Sequence, residues 1–211
     1  MPVPTEKIVE RSVDGLQKIY AVVVALAISQ AVMNFLKDRN DFGAFFTAEA
    51  WNAMSAIAAL LLTVVPFYHG MNRHLERSYL ERDAGARHGA LLLDFSAFFL
   101  ESFVLLAVSW SIRKGPLAFF FLGVLLVGDV IWGIMSHFIH YAGGQSTVLR
   151  WSAINMGAVV LGGLVWFTEA FPESKKVWVF LVIAFLRTVL DYKFGWDFYF
   201  PKFSTAEAAK Q

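Results

Sequence analysis

Residues 89–141 read GALLLDFSAFFLESFVLLAVSWSIRKGPLAFFFLGVLLVGDVIWGIMSHFIHY, and this stretch decides the fold. Two apolar runs flank the turn Arg113-Lys114-Gly115-Pro116. Each run exceeds the roughly 20 residues with which a helix crosses about 30 Å of hydrocarbon. So short a turn predicts an antiparallel helical hairpin in a membrane.

Outward from this hairpin, whose runs cover 89–112 and 117–141, four more stretches have the same character: 17–36, 51–71, 149–170 and 176–197. The polar segments between them are too short to form a soluble domain. The expected architecture is an all-α, polytopic bundle of six transmembrane helices over residues 17–200, with an N-terminal segment 1–16 and a C-terminal tail 201–211. Val9, Val13, Leu16 and Tyr20 fall on one helical stripe. The stripe makes residues 1–16 an interfacial segment, or else it extends the first span.

Composition agrees. The 211 residues are 57% hydrophobic and 17% charged, with a mean hydropathy of +0.55, whereas soluble domains carry about 25% charged residues. This excludes a disordered chain, which needs low hydrophobicity. The absence of cysteine excludes thiol catalysis, iron–sulfur clusters and Cys-ligated zinc. A net charge of +1 gives no reason to expect a nucleic-acid partner.

Orientation follows from Lys and Arg. Eleven lie in the N-terminal segment, the loops after the second and fourth spans, and the tail, against six on the opposite side. Both termini are therefore expected in the cytoplasm, and the membrane is expected to be the plasma (inner) membrane. Trp51, Trp151 and Trp196 sit at span ends, where Trp commonly anchors a helix at headgroup level. The run Ala118 to Phe121 reads as lipid-facing surface.

Ionisable groups inside spans are costly, so each is a functional candidate. Five stand out: Asp94, Glu101, Asp129, Arg187 and Asp191. Glu101 lies fourteen residues before Gly115 and Asp129 fourteen after it, which sets the two at nearly equal depth. Arg187 is central in its own span, so these three are expected to converge near the midplane. Asp94 and Glu101, seven apart, share a helix face, and Arg187 and Asp191 are spaced to pair along one helix. Asp129, Gly133, Ser136 and His140 form a narrow stripe whose small residues let a helix or water approach. Four acids against one base require that some be protonated or joined by a cation.

All five histidines, His69, His74, His88, His137 and His140, fall near the expected cytoplasmic face, while Ser55, Ser109, Ser111 and Thr168 lie toward the other. That asymmetry predicts a wet half-channel open to the cytoplasm and closed outward by apolar packing. No cofactor is expected from the sequence. A metal ion is the weaker alternative, with His137, His140 and Asp94 as its candidate ligands. Pro66 is expected to kink the second span and to free a carbonyl. Gly157, Gly162 and Gly163 are expected to serve close helix contact, within the bundle or between subunits.

Three functions compete. The foremost is an ion- or proton-conducting or ion-coupled transport protein, with Glu101, Asp129 and Arg187 at the midplane and Asp94, Asp191 and the histidines as the inward path. The second is a membrane-embedded effector or assembly subunit whose buried charges are structural. The third is an intramembrane enzyme with a His/Asp site at the cytoplasmic face. The expected partners are the lipid bilayer, a second copy or another membrane subunit, and protons or cations.

Overall fold

The computed structural model describes residues 5–37, 42–80, 88–140, 147–169 and 171–201. Regular structure among them is entirely helical: α1 (Thr5–Leu36), α2 (Ala48–Leu75), α3 (His88–Ser111), α4 (Pro116–His140), α5 (Thr147–Phe167) and α6 (Glu173–Tyr199). Short 3-10 turns at Gly43–Phe46 and Ile112–Lys114 and a π turn at Glu76–Leu80 complete it. Local chemistry sets several of the boundaries. Thr47 caps α2 by accepting the Ala50 N–H at 3.1 Å. Pro116, whose missing N–H costs nothing at a helix start, opens α4 directly after Gly115.

The helices close into a ring in the order α1, α3, α4, α5, α6, α2 and back to α1, with α4 also touching α2 and α6. Five of them, α1 to α5, are long and apolar enough to cross a membrane. The sixth, α6, has 27 residues and carries Arg187, Asp191 and Lys193 within its apolar stretch. It nevertheless runs the full height of the bundle, parallel to α2. A Cβ at Gly115 would touch both Asn52 and Val177. Midway, Thr188 Oγ1 donates to the Leu62 carbonyl at 2.6 Å, and at the far end Arg73 Nε donates to the Phe198 carbonyl at 3.2 Å. The residue offset stays at 125 or 126 throughout, so the two helices keep step from one end to the other.

The α1 helix is continuous from Thr5, and its stripe Val9, Val13, Leu16 and Tyr20 is buried in the core. At about 1.5 Å per residue its 32 residues reach about 48 Å, longer than a hydrocarbon layer. Residues 5–16 thus extend the first helix.

Pro66 does not break α2. A proline leaves the carbonyl four residues earlier without its helical N–H. Here that carbonyl is Leu62 O, and Thr188 Oγ1 from α6 takes it. The glycines divide unexpectedly. Gly133 is the close contact: a Cβ there would overlap Ser152 Oγ and meet Val148 Cγ1 at 3.4 Å. Gly157 and Gly163 face open space within this chain, and Gly162 meets only Phe180 at 3.9 Å. Small size alone does not show whether a helix approaches or a gap remains.

Two surface expectations are corrected. Trp151 is only 8% exposed and lies inside the bundle, edge-on to Phe67 and Trp132. In the run Ala118 to Phe121, Ala118 and Phe119 are buried while Phe120 is exposed. Four successive helical residues point around the whole helix, so they cannot all face lipid.

Candidate functional site

The five charged candidates are all buried, and the structure sorts them into two polar clusters and one outlier. The first cluster surrounds Asp94 near the end of the bundle where α2 finishes. Asp94 Oδ2 contacts His74 Nε2 at 3.0 Å and accepts the Tyr79 hydroxyl at 2.8 Å. Its other oxygen, Oδ1, accepts the Trp132 indole N–H at 2.9 Å. The π turn makes this possible. His74 and Tyr79 are five residues apart and would stand about 140° apart on a regular α-helix. A π turn bonds i to i+5 and brings them over the same side. The His74 ring also sits edge-on to Trp132 at 4.8 Å, so the cluster is packed as well as bonded.

The second cluster links α4, α5 and α6. Asn155 Nδ2 donates to Asp129 Oδ2, and Asn155 Oδ1 accepts from Arg187 Nε at 2.7 Å. Arg187 Nη2 lies 3.5 Å from Asp191 Oδ2, and Asp191 Oδ1 accepts the Tyr199 hydroxyl at 2.9 Å. The guanidinium lies over the Phe67 ring at 4.9 Å. A chain of polar contacts thus runs Asp129, Asn155, Arg187, Asp191, Tyr199. It forms because Gly133 and Ser152 let α4 and α5 approach one turn from the Asp129–Asn155 bond.

Helix rise refines the depths. Val177 is level with Gly115, so Asp191, fourteen residues on, stands about 21 Å from the hairpin end, matching Glu101 and Asp129. Arg187 sits one turn nearer that end, and its long side chain bridges the step.

Glu101 is the outlier. Its Oε2 accepts the Tyr20 hydroxyl at 3.4 Å, and its buried Oε1 has no hydrogen bond. It contacts neither Asp129 nor Arg187 directly but lies within electrostatic reach of Asp129.

The histidines do not form one group. His74 joins Asp94, whereas His69 is packed, tilted or edge-on, among Tyr199 at 4.7 Å, Phe200 at 5.2 Å and Tyr192 at 6.1 Å. His137 is half-buried beside Phe138, and its Nδ1 lacks a hydrogen bond. The side chains of His88 and His140 lie outside the described residues. Among the described residues no three His or acidic side chains converge as a metal site would require. Asp94, one of the proposed ligands, turns both oxygens to organic donors.

Near the end of the bundle that holds His74, the described residues leave a small void with about 10 Å³ of room for a water molecule. That is about the room one water needs. His74, Trp151, Asp191 and Tyr199 line it. The buried Trp151 Nε1 and Asp191 Oδ2 both lack a hydrogen bond, so a water there would have polar partners. Toward the hairpin end the interior is apolar, built on Ala53, Ala56, Leu60, Leu105, Val108 and Ile112. The serines there spend their hydroxyls on their own helices: Ser55 on Trp51 O, Ser109 on Leu105 O and Ser111 on Val108 O.

Four contributors, Tyr79, Trp132, Asn155 and Tyr199, are invisible to a search for charge. Asn155 left a signal nonetheless: it is an amide in the middle of an otherwise apolar span.

Fold and site together define a class: a helical-bundle membrane protein with a buried, hydrogen-bonded network of carboxylates around one arginine. No known family model, curated protein or solved structure matches the chain.

Proposed function

We propose that this chain is a proton-handling transport protein of a cellular membrane, with both termini in the cytoplasm. One observation carries the reading: Asp129 and Asp191 are both connected to the guanidinium of Arg187, the one buried guanidinium among the described residues. Glu101 is buried nearby with no cationic side chain paired to it among the described residues. One positive charge balances one carboxylate. An uncompensated buried carboxylate is costly enough that neutrality is restored by a proton or a small cation.

Arg187 acts in this scheme as the element for which the two aspartates compete. When Asp129 takes a proton, the guanidinium is left to Asp191, and the reverse holds when Asp191 is neutral. Neither Asn155 nor Arg187 passes a proton itself, because an amide and a guanidinium hold theirs at any ordinary pH. They position the carboxylates and carry the electrostatic coupling between them. Protons reach Asp191 from the end of the bundle that holds His74, through the one-water void lined by His74, Asp191 and Tyr199. The apolar interior toward the hairpin closes the other side, so release there requires a conformational change.

The test is proton flux in proteoliposomes under an imposed pH gradient. Wild type is expected to exceed protein-free vesicles, and Glu101→Gln and Asp129→Asn are expected to lower the flux at least tenfold while the helical content persists. Flux at background in wild type, or equal flux in both variants, contradicts the reading.

A further inference from the structure

A groove of about 340 Å³ lies between α4, α5 and α6 on the lipid-facing side of the bundle. It exists because small residues face it. A Cβ at Gly123 on α4 or Gly163 on α5 would meet no atom within 4 Å. Phe119 and Phe180, stacked with ring centres 5.1 Å apart, form its rim toward the hairpin end together with Trp166. Its other end is Arg187, the one charged residue on the described lining. Seven residues of helix separate Arg187 from Phe180, an apolar length of about 10 Å.

Arg187 is 3% exposed, and neither Nη1 nor Nη2 makes a hydrogen bond; only Nε does, to Asn155. Thr63, the other polar residue on the lining, already gives its hydroxyl to the Ala59 carbonyl at 2.8 Å. An unspent donor group buried at the end of an apolar groove recognises a ligand with one acceptor at the end of an apolar body. The charge of that acceptor also follows. Asp191 Oδ2 lies 3.5 Å from Nη2, and Asp129 is joined to the same guanidinium through Asn155. A third anion would meet two carboxylates, whereas a neutral carbonyl accepts the N–H groups and adds no charge.

We propose that the groove between α4, α5 and α6 binds a membrane-soluble molecule with a neutral carbonyl head, which accepts from the terminal N–H groups of Arg187 while its apolar body lies along Gly123, Gly163 and Phe180.

Photolabelling in phosphatidylcholine nanodiscs tests this. The probe is a long-chain methyl ketone with a diazirine at mid-chain, compared with an alkane and a carboxylate of equal length bearing the same diazirine. The ketone is expected to label peptides covering 119–127 and 158–167, with competition by excess unlabelled ketone. The alkane and the carboxylate are expected to label them about tenfold less, the loss of one hydrogen bond to a charged donor. Gly123→Phe fills the groove without touching the Arg187 network and is expected to abolish this labelling. Arg187→Met is expected to bring the ketone down to the level of the alkane. Because Arg187→Met can also unfold the bundle, Gly123→Phe and the alkane arm decide the question independently.

Equal labelling by ketone and alkane overturns the proposal, as does labelling that Gly123→Phe leaves unchanged. Stronger labelling by the carboxylate overturns the neutral head. Equal ketone labelling of the groove between α3 and α4, lined by Leu100, Glu101 and Gly128, overturns the role of Arg187. The labelling needs no proton gradient, so absence of flux and absence of binding are separate results.

Discussion

Asn155 holds Asp129 with one end of its amide and Arg187 with the other: its Nδ2 donates to Asp129 Oδ2, and its Oδ1 accepts from Arg187 Nε at 2.7 Å. A neutral side chain on α5 is thus the joint between an acid on α4 and a base on α6. Replacing it by Ala strands both partners in a buried site. Removing one member of such a network costs about 3–5 kcal/mol when a charge is left unpaired. Asn155→Ala is therefore expected to lower the chemical-denaturation midpoint sharply. Asn155→Gln, which keeps the amide but lengthens its arm, is expected to lose part of that amount. Unchanged stability in Asn155→Ala would show that the amide is not the joint.

The Thr188–Leu62 contact predicts a coupled pair. Thr188→Val keeps the shape and removes the hydroxyl that caps the carbonyl freed by Pro66. The expected cost is about 1–3 kcal/mol, the penalty for a buried acceptor without a donor. In a Pro66→Ala background Leu62 O regains a helical N–H, so Thr188→Val is expected to cost little there. A double-mutant cycle of unfolding free energies reads the difference. Strict additivity of the two substitutions would contradict the assignment.

Gly133 and Gly163 predict opposite responses to the same substitution. Gly133→Ala drives a Cβ into Ser152 Oγ and is expected to destabilise the bundle by about 1–3 kcal/mol, the usual range for overpacking. Ser152→Ala removes the overlapping atom, whose hydroxyl makes no hydrogen bond, and is expected to restore most of the loss. Gly163→Ala meets nothing and is expected to be neutral or stabilising by up to about 1 kcal/mol, since Ala favours the helix over Gly. Thermal melts of the four proteins decide the matter.

At Asp94 three donors converge on one carboxylate. Asp94→Leu leaves the Tyr79 hydroxyl and the Trp132 N–H without their acceptor and is expected to cost more than Tyr79→Phe, which gives up one hydrogen bond worth about 1 kcal/mol. Comparable melting losses for the two would mean that the cluster is not organised by Asp94.

Much of this architecture is legible in the sequence, and the parts that are not have identifiable causes. The hairpin around Gly115, and the equal depth of Glu101 and Asp129, follow from residue spacing because a helix rises by a constant amount. The Arg187–Asp191 pair follows from i,i+4 geometry within one helix. What hydropathy does not encode is which helix lies beside which. The ring order sets α5 between α4 and α6, so Asp129 meets Arg187 through Asn155, while Glu101 on α3 turns to Tyr20 on α1. The grouping of all five histidines at one face does not show that His69 packs against tyrosines while His74 reaches Asp94. That outcome depends on a π turn and on side-chain direction. Trp151 reads as a headgroup anchor from its position at a helix start, yet it faces inward against Phe67 and Trp132. Position along a helix sets depth; only the neighbours set which face is buried.

The central claim is that the carboxylates tied to Arg187 exchange protons with water. Infrared difference spectroscopy across a pH titration, on the protein in lipid, reads this directly through the carbonyl stretch of protonated carboxyl groups. A pH-dependent band in wild type that is missing in Asp129→Asn or Asp191→Asn, with the helical amide signal intact, is the predicted result. A spectrum with no titrating carboxyl band that either substitution removes would contradict the account and leave the buried charges as structural bonds between helices.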